Sequence, residues 1–333
     1  MGARSANPSE PFKQPAAAVV SGYAERLIQE ADAAIQRLAD LNDSHALHDS
    51  RVALRRLRGW FRAFQAELPL KPRHHKAFRR LAHSTNPARD AEVSLEWLTV
   101  LERRLEPKAM AGLTRFTAEL KAICDENYRE VRRDLPRDWH KLARRLRHAA
   151  SGTGARGKSR PFLASFMASL GAYSRDFDRT LERARRAPTP EHIHALRIAG
   201  KRLRYLMETL LPWHPQAEGF MREMKALHDT AGAIQDLQRL IALSEHAFLR
   251  QAGSRYRKLL AEYLDTGADH RTLRRPDFTP GLSPLLWICR AAARTQSDYL
   301  LRFRKTYLSR KTPTCIRELR LITAALRKRM TVK

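Results

Sequence analysis

Apolar residues recur at three- and four-residue intervals from about Val20 to Leu41 and again from His45 to Leu68, the second run starting behind the cap-like triplet Asn42-Asp43-Ser44. That period predicts two amphipathic helices joined as a hairpin. Pro69 and Pro72 end the second of them. A third helix is expected from about His74 through Leu105, irregular near Asn86-Pro87, and a fourth from Lys108 toward His148, interrupted at Pro136. The run from Ser151 to Lys158 concentrates small flexible residues and predicts a linker over 151–160. Beyond it, helices are expected from Pro161 to Arg186, from Glu191 to Leu211 behind the start signal Pro188-Thr189-Pro190, and from Ala217 to Gln251. Residues 254–275 predict a weaker helix ending in a charged loop, and Ser283 to Met330 one or two helices around Pro313. No alternating pattern competes, so the fold class expected is all-α. The organisation that follows is a disordered head over 1–19, a first helical bundle over 20–150, the linker, and a second bundle over 161–330.

The two halves share residues as well as pattern. His48-Asp49-Ser50-Arg51-Val52-Ala53-Leu54-Arg55-Arg56-Leu57-Arg58 aligns with His194-Ala195-Leu196-Arg197-Ile198-Ala199-Gly200-Lys201-Arg202-Leu203-Arg204, 146 positions later, and every basic position stays basic. Without a gap the same offset carries Arg79 onto Lys225, Leu81 onto Leu227 and Asp90 onto Asp236. An internal repeat of this kind predicts two four-helix bundles packed about a pseudo-two-fold.

On the first copy, Leu47, Leu54, Leu57, Phe61, Phe64 and Leu68 form the face that packs, while His48, Arg51, Arg55, Arg58 and Arg62 form another. At 100° per residue the basic stripe sits roughly 110° from the apolar one, so its guanidinium groups flank the core. A solvated face usually mixes acids with bases, whereas this one carries no acid and its cations repel along the helix. His194, Arg197, Lys201 and Arg204 repeat the stripe until Glu208 ends it. Arginine outnumbers lysine here, which favours planar, bidentate contact with phosphate or carboxylate oxygens. The stripes also lack interleaved Phe, Tyr or Trp for stacking on bases.

Composition extends this local bias to the whole chain: 63 Lys and Arg against 35 Asp and Glu give a formal charge of +28. Self-repulsion makes such an imbalance costly, and it implies a polyanionic partner. With 43% hydrophobic and 29% charged residues among 333, the chain is an ordinary folding sequence and not a disordered one. Cys124, Cys289 and Cys315 are too scattered for a disulfide framework or a zinc site and suggest a reducing, cytoplasmic compartment. The first fifteen residues lack the apolar core of a secretory signal, and no apolar run reaches the roughly 18 residues of a spanning helix, so no membrane association is expected. His48 and His194 stand in the same slot of each copy and read as auxiliary phosphate contacts or structural hydrogen-bonding groups. No metal site is expected, because no second ligand recurs at i+4 on that face. Asp90 and Asp236 read as acids that orient arginines by salt bridge.

The duplicated H-x-x-R-[VI]-x-x-[RK]-R-L-R, together with Arg89-Asp90-x-Glu92-Val93 and Gly232-x-x-Gln235-Asp236, resembles the CHAD family, the conserved histidine α-helical domain. The likeness covers about residues 20–325. It implies an all-helical duplicated bundle whose basic helices line a central groove or pore for inorganic polyphosphate, with stand-alone members associated with polyphosphate granules. Other members are fused to a triphosphate-tunnel domain, whose E-x-E-x-K motif does not occur in this chain. The chain departs from the pattern where Gln235 replaces the repeat equivalent of Arg89, and the stretch 251–284 reads as an insertion. On this basis the polyphosphate-binding residues expected are His48, Arg51, Arg55, Arg56, Arg58, Arg62, Arg79 and Arg89 in the first half. Their counterparts are His194, Arg197, Lys201, Arg202, Arg204 and Lys225 in the second. No catalytic residue and no cofactor are expected. The alternative partner is nucleic acid, RNA above all, for which the charge fits but no reader motif appears. A phosphoanhydride hydrolase would need clustered carboxylates to hold Mg²⁺ beside the repeats, and none is seen.

Overall fold

The computed structural model describes residues 10–103, 110–151, 160–266, 283–309 and 312–331. Within them lie α1 (Glu10–Lys13), α2 (Ala16–Gln36), α3 (Ala46–Ala63), α4 (Pro72–Ser84), α5 (Asn86–Glu102) and α6 (Met110–Ser151). The second half supplies α7 (Phe162–Arg186), α8 (Pro190–Glu208), α9 (Ala217–Thr266), α10 (Ser283–Tyr307) and α11 (Thr314–Thr331). The all-α expectation holds, and the described residues contain no strand beyond one isolated bridge between Pro15 and Pro161. None of these helices is long and apolar enough to cross a membrane.

Packing divides the chain differently from the repeat. One compact unit comprises residues 1–86, 129–231 and 303–333, and the other 87–128 and 232–302. Each takes helices from both halves, so the expected boundaries at 20–150 and 161–330 are not the packing boundaries. The physical reason is helix length: α6 runs for 42 residues and α9 for 50, and each passes from one unit into the other. The expected linker lies almost wholly outside the described residues, as does much of the 251–284 stretch.

In the first unit an aromatic column runs through Tyr23, Trp60, Phe64, Phe162 and Phe166, with successive centroids 4.3 to 6.0 Å apart. The Trp60 indole donates to the Val20 carbonyl at 2.9 Å, so the one polar atom of this buried ring is satisfied. The second unit closes around Leu98, Leu101, Phe116, Leu237, Leu240 and Ile288, each nearly inaccessible to solvent.

Several helix expectations change. The head is ordered from Glu10 onward, because Phe12 is buried with its ring edge-on to Trp213 at 6.1 Å. The Ala16 amide donates to the Arg160 carbonyl and the Phe162 amide to the Gln14 carbonyl, both at 2.9 Å, so the starts of α2 and α7 are tied reciprocally around the Pro15–Pro161 bridge, whose two residues are 146 apart. The third expected helix is two, α4 and α5, divided at Thr85 because Pro87 cannot continue the turn before it. By contrast, α6 runs unbroken through Pro136. Val131, Leu135, Trp139 and Leu146 are buried on both sides of the proline, and that anchorage outweighs the roughly 3 kcal/mol a helix-interior proline costs. α9 also runs on through Gly253 beyond its expected end, to Thr266.

Gly200 marks the tightest approach beneath α8. A Cβ there would meet Met224 Cε at 2.7 Å, His228 Nε2 at 3.1 Å and Phe177 Cε2 at 3.2 Å. The repeat places Leu54 opposite Gly200 in sequence and Ala82 opposite His228, so large and small residues are exchanged between the copies. Gly200→Leu should therefore destabilise the fold by about 1–3 kcal/mol or more through overpacking. Adding His228→Ala should recover part of that loss, and chemical denaturation of the single and double variants measures both.

Candidate functional site

The site forms where α3 and α8 present their basic stripes to one cavity. Thr189 caps α8, its hydroxyl accepting from the His192 amide at 3.3 Å, with Pro190 at the first helical position. The loop into α3 is fixed by Asp43, which accepts from the His45 amide at 3.0 Å and from Arg37 at 2.7 Å. The helices come together at Gly59, where an added Cβ would stand 3.7 Å from Tyr205 Cβ, and these two residues are themselves repeat counterparts.

Between the helices lies a cavity of about 410 Å³. From α3 it is lined by Arg51, Arg55, Arg58 and Arg62, and from α8 by His194, Arg197, Lys201 and Arg202. Thr85 and Asn86 close one side, while Leu54, Phe78, Ala82, Ile198 and Tyr205 supply apolar wall. No carboxylate is among the lining residues. Cations held against an apolar wall are weakly screened, so an anion entering there gains more than it would at an open surface.

Arg51 is held in place by the Thr85 hydroxyl and by Asn86 Oδ1 at 3.1 Å. Arg55 donates from Nε to the Arg51 carbonyl at 3.1 Å. Burial, and then the charges of Arg62, Arg202 and Arg79, lower the pKa of the Arg58 guanidinium, which nevertheless stays charged at neutral pH. Arg202 is partly offset by Asp176 at 3.0 Å.

Eight of the fourteen expected binding residues meet at this cavity. The others lie elsewhere. His48 is exposed outside the lining, and Arg79 stands on α4 within electrostatic range of Arg58. Arg56 is occupied by Glu208, with Glu30 at 3.9 Å. Arg204 lies over the Tyr205 ring at 5.1 Å, and Lys225 is paired with Asp229 at 2.8 Å. Arg89 belongs to the other compact unit, where Glu92 at 2.7 Å and Glu96 at 3.2 Å offset its charge. Asp90 and Asp236 both contact Arg239, at 3.1 and 3.3 Å.

Sequence reasoning missed Thr85, Asn86, Phe78 and Tyr205. It also expected no aromatic group beside the stripes, and that expectation fails. Tyr205 follows Lys201 at i+4 and so shares its face, a signal the helical period did contain. Phe78 comes from α4, off both stripes.

Beneath α8, His228 is only 6% exposed. Its imidazole pKa is pushed down to about 3, first by burial and then by Arg204, Lys201 and Arg197. The histidine is therefore neutral at physiological pH.

The basic helices of the two repeat copies thus face one cavity, and no carboxylate is among its lining residues. The family model for the CHAD domain matches residues 22–245, and the chain belongs to that family. The crystal structure of the CHAD domain from the plant Ricinus communis superposes with a TM-score of 0.64 at 15% identity, over 91% of this chain and 95% of that one, a likeness of fold. No curated protein matches the chain.

Proposed function

We propose that the cavity between α3 and α8 binds inorganic polyphosphate, and that the protein acts as a binding protein associated with polyphosphate granules in the cytoplasm. The observation that carries this reading is the enclosure of a single cavity by seven guanidinium and ammonium groups from both repeat copies, with no acid among its lining residues. Like charges gathered on one cavity wall repel one another and are stabilised by a polyanion, and arginine contacts phosphate oxygens through bidentate, charge-assisted hydrogen bonds. Membership of the CHAD family supports the same reading. Because bound phosphates release counterions, affinity should fall steeply with salt. For about six contacts, by analogy with nucleic acids, a loss on the order of 10³ between 50 and 200 mM is expected. An affinity flat with salt would instead indicate an uncharged small-molecule pocket.

Tyr205 favours a second reading, a single-stranded nucleic acid with a base stacked on this ring while its phosphates meet the arginines. Competition separates the two. At physiological ionic strength, single-stranded RNA or duplex DNA at equal charge concentration should fail to displace labelled polyphosphate, while unlabelled polyphosphate displaces it fully. RNA competing equally well would put the nucleic-acid reading in its place.

A further inference from the structure

The cavity breaks the symmetry of the repeat. Its lining takes Arg62 from α3 and Arg202 from α8, yet their counterparts 146 positions away, Glu208 and Arg56, are not among the lining residues. The acid beside the second arginine is kept in both copies: Asp176 stands 3.0 Å from Arg202, and its counterpart Glu30 stands 3.9 Å from Arg56. The third group differs. Where the first copy has Arg62, the second has Glu208, a reversal of charge on an otherwise basic stripe.

Glu208 follows Arg204 by four residues and Lys201 by seven, so helical period sets it on the line of Arg197, Lys201 and Arg204. Its carboxylate is taken by Arg56 of α3, whose Nε donates to Oε2 at 3.3 Å and whose Nη2 donates to Oε1. This pair spans the two helices one turn from the close approach of Gly59 and Tyr205, both of which line the cavity. The guanidinium fork meets two oxygens of a single anion, the same geometry it offers a phosphate. Arg204, the last base of the stripe, lies over the Tyr205 ring at 5.1 Å.

We infer that Glu208 is a specificity-determining residue that stops the polyphosphate groove: its carboxylate fills the fork of Arg56 in place of a phosphate and confines the ligand to the side of Arg62 and Arg202. The inference rests on the polyphosphate reading and refines it. A carboxylate of the same chain competes for Arg56 at high effective concentration. Its charge also repels a phosphate that advances past Tyr205. The groove therefore has one cationic end and one stopped end, although the two helices that build it are copies of each other.

The test is calorimetric titration of the full chain with long-chain polyphosphate at several salt concentrations. Glu208→Gln and Glu208→Ala, which both remove the charge, should each bind about tenfold more tightly at physiological salt, the size of one hydrogen bond to a charged group. Their salt slopes should steepen by roughly one, because one more phosphate is neutralised. Arg56→Gln alone should bind within about twofold of wild type, since Glu208 already holds that arginine. Added to either Glu208 variant, it should remove the gain. Asp138→Asn removes a carboxylate 3.3 Å from Arg137 on α6 and makes the same change in net charge, and it should stay within about twofold. Glu30 keeps a longer hold on Arg56, so the series is repeated with Glu30→Gln in every variant. Circular dichroism and melting temperature verify that each variant is folded. No gain from the Glu208 variants in either background, a gain matched by Asp138→Asn, or a gain that survives Arg56→Gln overturns the stop. If wild type binds polyphosphate and the gain is missing, only the stop falls; if wild type does not bind it, the polyphosphate reading falls and the stop with it.

Discussion

Replacing Arg51 and Arg55 together by glutamate should abolish tight polyphosphate binding although every residue of α8 is untouched. Both side chains line the same cavity as Arg197 and Lys201, so one ligand meets both helices at once. Each charge-assisted hydrogen bond lost costs about 1.5–3 kcal/mol, so two such losses alone weaken binding at least about a hundredfold. The new carboxylates repel phosphate in addition. The mirror variant, Arg197→Glu with Lys201→Glu, should show the same loss. Arg51 also bonds Thr85 and Asn86, so circular dichroism and a denaturation midpoint must accompany the titration. Folded variants of either kind that bind like wild type would remove the shared-cavity reading.

The second large effect is acid instability centred on His228. Its pKa in the fold is about 3, against an ordinary value near 6.5, so the unfolded chain binds the extra proton between those limits. Stability from this group is therefore complete above about pH 6.5 and declines as pH falls toward 3. The loss is about 2 kcal/mol at pH 5 and on the order of 4 kcal/mol near pH 3. His74, His75 and His214 are shifted in the same direction by burial and neighbouring cations, and they steepen the decline. Denaturation midpoints measured from pH 8 to pH 4 should fall accordingly, and His228→Met should flatten the slope below pH 6. An unchanged slope in that variant would mean that the imidazole is not held neutral beneath α8.

The all-helical fold was legible because apolar spacing is a local property that survives in almost every element here. The stripes on α3 and α8 were legible for the same reason, since helical period alone puts Arg51, Arg55, Arg58 and Arg62 on one face. The convergence of the two stripes was suggested by the repeat, because equivalent residues in equivalent helices invite a common ligand. Contacts made across helices were not legible. Nothing in the sequence reveals that Arg56 is neutralised by Glu208, 152 positions away. The continuity of α6 past Pro136 failed as an expectation because a local helix-breaking rule met a tertiary anchorage that outweighs it.

The reciprocal amide bonds between residues 14–16 and 160–162 bear on the order in which the chain folds. Closing a loop of 146 residues carries an entropic cost of about 4 kcal/mol, and two backbone hydrogen bonds cannot offset that unaided. The clasp closes only once α2 and α7 can pack against each other. During synthesis, the beginning of the chain must wait until the second repeat has emerged. Until then, Phe12 and the first turn of α2 have no partners, and the early half is a nascent segment with an open apolar edge. Hydrogen exchange during refolding should accordingly show the Ala16 and Phe162 amides gaining protection together, and later than the amides within α3.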